Sequence, residues 1–341
     1  MRYVAVFLAA AVFTAAGQQA QSDAPVDADA RAAIVETLAS KIEAGYVIPE
    51  AGVRAARYLR KTIAEGGYDS CTGARAFAEK VTLDLRSVTK DKHLALYFDP
   101  AQKPMSGAPV GQSMARERFN YGISKLERLP GNVGYLEIGR FADLGEGRET
   151  VSAFLGALAN FDSIILDLRQ NGGGNTPMAA YVASYFLGPK PVHLSSIYWR
   201  DENRTVDVMT SEVVAGRRSL DRDLFLLVGP ATFSAAEDFC YAMQQLKRAT
   251  LVGETTGGGA HMARGRQRLS PLFTAFIPIG QSINPITRTN WEGIGVEPDV
   301  RIPVAKALAE AHVLALRKLI DREGDPAWRE NLRRVLSQLG K

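Results

Sequence analysis

Ser234 is the residue whose sequence context best suits a nucleophilic side chain. The apolar run from Leu224 to Val228 predicts a buried strand, Gly229 and Pro230 end it, and a helical pattern begins near Ser234. A strand, a tight turn and a helix would place the hydroxyl at a helix N-terminus, where unpaired backbone N–H groups favour developing negative charge. The stretch Ser234-Ala-Ala-Glu237 also matches the S-x-x-E capping box, which only begins a helix. Both interpretations, nucleophile and helix cap, stand at this point.

A second candidate feature is a glycine-rich loop that follows another predicted buried strand. The run SIILDL leads into Arg169-Gln-Asn-Gly-Gly-Gly-Asn-Thr-Pro177, and a helix is predicted after it. Neither G-x-G-x-x-G nor a GK[ST] ending is present, so the loop does not indicate nucleotide binding. Exposed N–H groups of such a loop suit an oxyanion hole, which needs donors aimed at a developing alkoxide. A plain glycine turn remains the alternative.

Two further side chains are of types that support hydrolysis. His93 follows Asp91 and Lys92 at the end of a helical region, and Glu292 lies in a glycine-flanked turn. A histidine near its ordinary pKa accepts a proton at neutral pH, and a carboxylate can orient its ring. A single histidine in a turn is more often incidental, so neither residue alone indicates catalysis.

The first 22 residues predict a signal peptide. Met1-Arg2 carries a positive charge, residues 4–16 are largely apolar, and Ala15-Ala16-Gly17 offers small residues for cleavage. We expect a mature N-terminus near Gln18, Gln21 or Ser22. The protein is therefore expected to be exported to the periplasm or the extracellular space. No other stretch has the length needed to span a bilayer, so stable membrane insertion after cleavage is not expected.

Composition restricts the remaining function classes. The chain has 341 residues and a net charge of +4 without a long Lys/Arg run, which does not indicate nucleic-acid binding. Two cysteines, Cys71 and Cys240, provide neither a disulfide framework nor metal-site spacing, and the sequence leaves their redox state open. We expect no metal and no cofactor. Oligomeric state also stays open.

The chain divides into two predicted domains. Residues 28–98 show three helical patterns joined by short connections, typified by Ile34, Leu38 and Ile42, and predict a compact helical bundle. Residues 100–111 are rich in Pro, Gly and Ser and read as a linker. Residues 112–341 alternate strand and helix patterns and predict an α/β core with C-terminal helices.

Four motifs in order carry a family resemblance. DLRQNGGG, VGPATFSAAEDF, LVGETTGGGA and WEGIGVEPDV resemble the tail-specific (C-terminal processing) serine protease superfamily. The N-terminal helices and the stretch NYGISKLERLPGNVGYLEI are most similar to the branch of interphotoreceptor retinoid-binding protein and the tricorn protease core. The resemblance implies a crotonase/ClpP-like α/β core preceded by a three-helix bundle.

The resemblance also implies which residues form the site, with two departures. Processing proteases carry a PDZ domain where this chain has the linker, and their base is a lysine in G-E-x-T-x-G-K-G, where this chain has Gly259. The tricorn-like branch instead uses Ser, His and Glu, whose positions correspond to Ser234, His93 and Glu292. His261, two residues after Gly259, remains a rival base.

The remaining implied parts are the oxyanion donors and the substrate. N–H groups of Gly172 or Gly173, together with Ala235, would form the oxyanion hole. The expected function is a serine peptidase that cuts unfolded tails or oligopeptides, with activity rising near neutral pH as the histidine loses its proton. The alternative is a non-catalytic module that binds an apolar ligand or a peptide, as in the retinoid-binding branch.

Overall fold

The computed structural model describes residues 23–100 and 117–339. The predicted signal peptide and all of the predicted linker except Pro100 lie outside these residues. Within the described ranges, none of the helices combines the length and the apolar character needed to cross a bilayer.

Three helices form the N-terminal part. They are α1 (Ala28–Gly45), α2 (Pro49–Ala64) and α3 (Ala74–Thr89). The Asp27 carboxylate accepts the Ala30 N–H at 2.8 Å and so begins α1. Lys90, with a φ of 62°, takes the left-handed conformation that ends α3. The turn after Lys90 carries Asp91 and His93.

Strands from both ends of the chain complete the core of this bundle. They are β1 (Ala95–Phe98), β10 (Gln267–Ser270) and β11 (Phe273–Phe276), in the antiparallel order β1-β11-β10. Leu96, Phe273 and Ala275 are buried together with Leu38 and Phe77 of the helices. Residues far apart in sequence therefore hold the segment around His93.

A six-stranded sheet forms the centre of the rest of the molecule. In order across the sheet the strands are β13 (Val300–Arg301), β8 (Thr250–Gly253), β7 (Asp223–Val228), β4 (Ser163–Asp167), β3 (Val133–Ile138) and β2 (Ile123–Leu129). Only the β2–β3 pair is antiparallel. Strands β4 and β7 are buried on both faces, which explains why their sequences are continuous apolar runs.

Helices cover both faces of this sheet. One face packs on α4 (Leu144–Leu158), α5 (Thr176–Ala183) and α6 (Ala235–Gln245), and the other on α7 (Ala307–Arg322) and α8 (Pro326–Leu339). Successive residues of β7 alternate between the two sides. Leu224 and Leu226 join the first core, whereas Phe225 and Leu227 join the second. The predicted α/β fold with three N-terminal helices is confirmed.

A small antiparallel sheet lies beside α6. Its order is β6 (Arg204–Met209), β5 (His193–Trp199), β12 (Gly280–Ile283) and β9 (His261–Met262). Ser195 of β5 and Ser282 of β12 both donate hydrogen bonds to Asp238 of α6. This sheet therefore brings His261 and the start of α6 to the same side of the molecule.

Candidate active site

Ser234 occupies a strained turn between β7 and α6. The Ala236 N–H donates to Phe233 O at 3.1 Å, and Ser234 has φ 56° and ψ −123°. These angles belong to the first central residue of a type II′ turn, a conformation that favours glycine. A non-glycine residue there costs about 1–3 kcal/mol and persists only where the surroundings impose it. The half-buried serine is held at the first turn of α6, as the sequence predicted.

The helix-cap interpretation of Ser234 is only partly met. Glu237 Oε2 accepts the Ser234 N–H at 2.8 Å, which is the carboxylate half of a capping box. The Ser234 side chain faces the Glu237 N–H as in the other half of the box, but that N–H donates to the Ser234 backbone oxygen at 2.9 Å. Glu237 also accepts hydrogen bonds from Thr256 Oγ1 and from the amides of Gly258 and Gly259. The serine hydroxyl is thus left for another role.

The glycine loop after β4 packs directly against this turn. The Phe233 N–H donates to Asn171 O at 3.0 Å. A Cβ on Gly173, whose φ is 97°, would lie 2.8 Å from Ser234 Cβ and 2.9 Å from Ala235 N. Only glycine allows so close an approach.

The donors predicted for an oxyanion hole differ in availability. The Gly173 N–H already donates to Asn171 Oδ1 at 2.9 Å. Across residues 23–100 and 117–339, neither the Gly172 N–H nor the Ala235 N–H makes a hydrogen bond. Gly172 and Ala235 are therefore the amides left to receive a negative oxygen.

His93 and Ser234 line the same cavity. The cavity measures about 570 Å³, and Gly172 and Ala235 line it as well. The His93 ring lies between aromatic rings, with its centroid 4.5 Å from that of Phe233 and 5.7 Å from that of Phe276. Burial lowers the pKa of His93 to about 4, although the Asp91 charge opposes the shift. The imidazole is accordingly neutral at pH 7.

Glu292 lies close to His93. Its Oε2 accepts the amides of Ala260 at 2.5 Å and His261 at 2.9 Å. Its Oε1 and His93 Nδ1 are both buried, and neither has a hydrogen-bond partner among residues 23–100 and 117–339. A ring nitrogen of His93 and a carboxylate oxygen of Glu292 lie within 4.8 Å of each other. Burial, reinforced by the Asp91 charge, raises the pKa of Glu292 to about 7.

Asp91 is a site residue that the sequence did not single out. It is fully buried, and its Oδ2 accepts hydrogen bonds from Tyr46 OH and His261 Nδ1, each at 2.9 Å. Its Oδ1 accepts the His93 N–H at 2.8 Å. The only sequence signal was its place two residues before His93. It fixes the backbone of one histidine and the ring of the other.

This pairing distinguishes the two candidate bases. Burial disfavours a charged His261 ring, but the Asp91 hydrogen bond and the charges of Glu292 and Asp91 outweigh it and raise the pKa of His261. The same interactions, together with the Tyr46 hydrogen bond, hold the pKa of the Asp91 carboxyl below its usual range despite burial. His261 is therefore hydrogen-bonded to buried Asp91, which favours its charged form, whereas His93 stays neutral and is the ring able to accept a proton.

Gly259, the position at which processing proteases carry lysine, has no room for a side chain. A Cβ there would lie 2.3 Å from Phe233 Cζ and 2.7 Å from His93 Cε1. The histidine and phenylalanine rings fill the space into which a lysine at this position would extend.

Asp91, His93 and Glu292 are also the residues that could hold a metal ion. Three of their four carboxylate oxygens already accept N–H or O–H donors. Only Glu292 Oε1 and a His93 ring nitrogen remain free of such bonds. The donor set suits a hydrogen-bonded network better than a closed coordination shell.

Comparison with known families agrees with this architecture. The model of peptidase family S41 matches residues 132–302, about half of the chain, and the model of the N-terminal domain of S41 peptidases in eukaryotic IRBP matches residues 28–120. The chain belongs to peptidase family S41. The family resemblance predicted from the four motifs is thereby confirmed.

Individual relatives show how far the similarity extends. A carboxyl-terminal-processing protease of Synechocystis sp. is 33% identical over 190 residues, covering 52% of this chain and 42% of the relative. The chain spans about two fifths of the length of the curated relatives it matches. Two solved structures share the fold. A protein from Parabacteroides merdae (17% identity, TM-score 0.58) is matched over 84% of this chain and 96% of its own. The tricorn protease (12% identity, TM-score 0.52) is matched over 92% of this chain and 37% of its own.

Proposed function

We propose that this protein is a serine peptidase in which Ser234 is the nucleophile, His93 the general base and Glu292 the residue that orients His93. The observation that carries the proposal is the pair of buried, unpartnered atoms, His93 Nδ1 and Glu292 Oε1, beside the cavity that Ser234 lines. Buried polar atoms without partners are uncommon and require an explanation. A proton shared between this histidine and carboxylate supplies one.

The reaction follows from these positions. His93 takes the hydroxyl proton as Ser234 Oγ attacks the peptide carbonyl carbon, and the resulting oxyanion accepts hydrogen bonds from the amides of Gly172 and Ala235. His93 then gives the proton to the leaving amine, and an acyl-enzyme remains. Water attacks the ester carbonyl as His93 takes a proton from it, and His93 then gives that proton to Ser234 Oγ as the C–O bond breaks and the carboxylic acid product leaves. Ionised Glu292 stabilises the imidazolium in both halves of the cycle.

The substrate class follows from the relatives. The curated relatives are named carboxyl-terminal-processing proteases, which supports unfolded tails or oligopeptides as substrates. We also propose export to the periplasm or the extracellular space, on the strength of the charged, apolar and small-residue segments at the N-terminus. N-terminal sequencing of protein from the producing cell tests export, and a retained Met1 would contradict it.

The peptidase proposal is tested by labelling with a fluorophosphonate serine-hydrolase probe. We expect wild-type protein to be labelled on Ser234 and to cleave an unstructured peptide, and Ser234→Ala to do neither. Ser337→Ala, on the exposed end of α8, is the matched control and should behave as wild type. An unlabelled wild-type protein that binds an apolar ligand, such as a retinoid, would instead support the non-catalytic alternative.

A further inference from the structure

Asp238 is a buried acidic residue that the proposed mechanism does not use. It lies in the first turn of α6, four residues after Ser234 in the sequence. Its side chain is only 7% exposed, yet it lines the same cavity as Ser234. A carboxylate is thus held one helical turn from the nucleophile.

The hydrogen bonds of Asp238 leave its charge uncompensated. Its Oδ2 accepts from Ser195 Oγ at 3.0 Å, and its Oδ1 accepts from Ser282 Oγ at 3.3 Å. Across residues 23–100 and 117–339, no lysine, arginine or histidine forms an ion pair with it. A carboxylate has about four acceptor positions, so two remain.

Burying an ionised carboxylate without a cation is costly, and such groups are normally paired. Burial raises the pKa of Asp238 to about 6, while the two serine hydroxyls oppose the shift. The carboxylate is therefore still ionised at neutral pH. Two serines would satisfy a neutral amide equally well, so hydrogen bonding alone does not explain an acid at this position.

The surrounding charges do not provide the missing cation. His261 also lines the cavity, but it is paired with Asp91, and His93 is neutral at pH 7. Arg264 lies over the Trp199 ring at the cavity wall and pairs with Asp201 and Glu202. Among the described residues, Asp238 is thus a carboxylate of the cavity wall without a cationic partner.

The remaining walls fit a long side chain that ends in a charge. Ile197, Trp199 and Trp291 line the cavity and present apolar and aromatic surface. The methylene stem of lysine or arginine packs on such surface while its charged end reaches a polar group. The volume of about 570 Å³ accommodates a side chain of this length together with the peptide backbone.

We propose that Asp238 selects a lysine or arginine side chain beside the scissile bond, so that the substrates are peptides cut next to a basic residue. The inference rests on the proposed peptidase function and specifies its substrate class. Asp238 acts as a specificity residue, because it contacts the substrate side chain and not the reacting atoms.

Matched peptides test this selection. Two pairs of fluorogenic peptides are compared. Within each pair the two peptides differ only in having lysine or norleucine at one position, which lies on the acyl side of the cut in the first pair and on the amine side in the second. Norleucine keeps the stem and lacks the charge. We expect at least one pair to show a tenfold or greater preference for lysine in kcat/KM with wild-type protein. Asp238→Asn should reduce that preference to less than threefold. If wild-type protein cleaves the norleucine peptide as fast as the lysine peptide, or faster, in both pairs, the proposal is overturned. This outcome does not depend on whether Asp238→Asn folds.

Binding separates this proposal from the failure of catalysis. Fluorescence anisotropy of the labelled lysine and norleucine peptides is measured with Ser234→Ala. If the lysine peptide binds more tightly than the norleucine peptide but the wild-type protein hydrolyses neither, the peptidase function is refuted and the basic subsite is supported. If the protein hydrolyses the peptides but shows no preference for lysine in rate or in binding, the peptidase function stands and the selection of a basic side chain by Asp238 is refuted. Equal losses for both peptides in a folded Asp238→Asn protein would mark the residue as structural.

Discussion

The Cε1 atom of His93 lies 2.7 Å from the position that a Cβ would occupy on Gly259. The absence of a side chain at residue 259 and the presence of a ring at residue 93 are therefore linked. A chain with a lysine at 259 cannot keep His93 where it is. In this chain, a side chain at residue 259 and the present position of the His93 ring exclude each other.

Substitution of Gly259 should damage the site more than the fold. Gly259→Ala is expected to displace His93 and Phe233, to cost about 1–3 kcal/mol of unfolding free energy, and to lower kcat/KM at least a hundredfold. Gly259→Lys should not rescue activity by forming a Ser/Lys dyad. Peptide hydrolysis and urea denaturation measure the two effects.

The control for this prediction is Gly156→Ala on α4, where a Cβ would meet nothing within 4 Å. It should leave activity unchanged and stability equal or slightly higher. Full activity of Gly259→Ala would show that His93 is free to move without loss.

The pH profile should report Glu292 and not His93. Because burial raises the pKa of Glu292 to about 7 and lowers that of His93 to about 4, activity should rise with pH through about 7 as Glu292 loses its proton. This rise near neutrality matches the sequence-based expectation but assigns it to a different group. In Glu292→Gln the acid limb should move below pH 6, with a lower plateau. The measurement is kcat/KM between pH 4 and 9. An acid limb that is unchanged in Glu292→Gln would show that His93, and not Glu292, is the group that titrates.

The two histidines should differ in what their removal affects. His93→Ala should abolish fluorophosphonate labelling with little change in unfolding free energy. His261→Ala leaves Asp91 buried and unpaired, which costs about 3–5 kcal/mol. His261→Gln, which can still donate to Asp91, should recover part of this loss. Labelling at a temperature where every variant is folded, with thermal denaturation alongside, distinguishes them. Loss of labelling in His261→Gln but not in His93→Ala would reverse the assignment of the base.

The side chain at residue 234 should lower the unfolding free energy of the protein relative to glycine at the same position. Its φ of 56° suits glycine, so Ser234→Gly is expected to be more stable than Ser234→Ala by about 0.5–1 kcal/mol, although both are inactive. Because the Glu237 N–H donates to the Ser234 backbone oxygen, which alanine keeps, Ser234→Ala should unfold close to wild type. Urea titrations of the three proteins measure this order. A large loss in Ser234→Ala would restore the capping interpretation.

The features that were predicted best from the sequence are those that short stretches of residues determine. The apolar run before Ser234 predicted β7, and the glycines before Pro177 predicted a loop. The motif order placed Ser234, His93 and Glu292 in one hypothesis. The structure adds that Gly173 donates to Asn171, which no spacing rule reveals because both residues sit in the same irregular loop.

The rest depended on contacts between distant residues. Asp91 carries no motif of its own, and its role appears only when Tyr46 and His261, 45 and 170 residues away, meet its oxygens. Asp238 carries no motif of its own either, and its burial is a property of the folded chain that the sequence does not show. Nor did the bundle's pattern indicate that β10 and β11 complete its core.

The pairing of β1 with β11 aligns Ala95 with Phe276, across more than half of the chain. Contacts of such long sequence separation cost loop-closure entropy before they stabilise the chain. His93 lies two residues before β1, whereas Ser234 needs only β7, the glycine loop and α6. Under the proposed mechanism, a chain in which only one half has folded would have the nucleophile or the base, but not both. Hydrolysis would then begin only when the fold is complete, and unfinished copies of the protein would not cut one another.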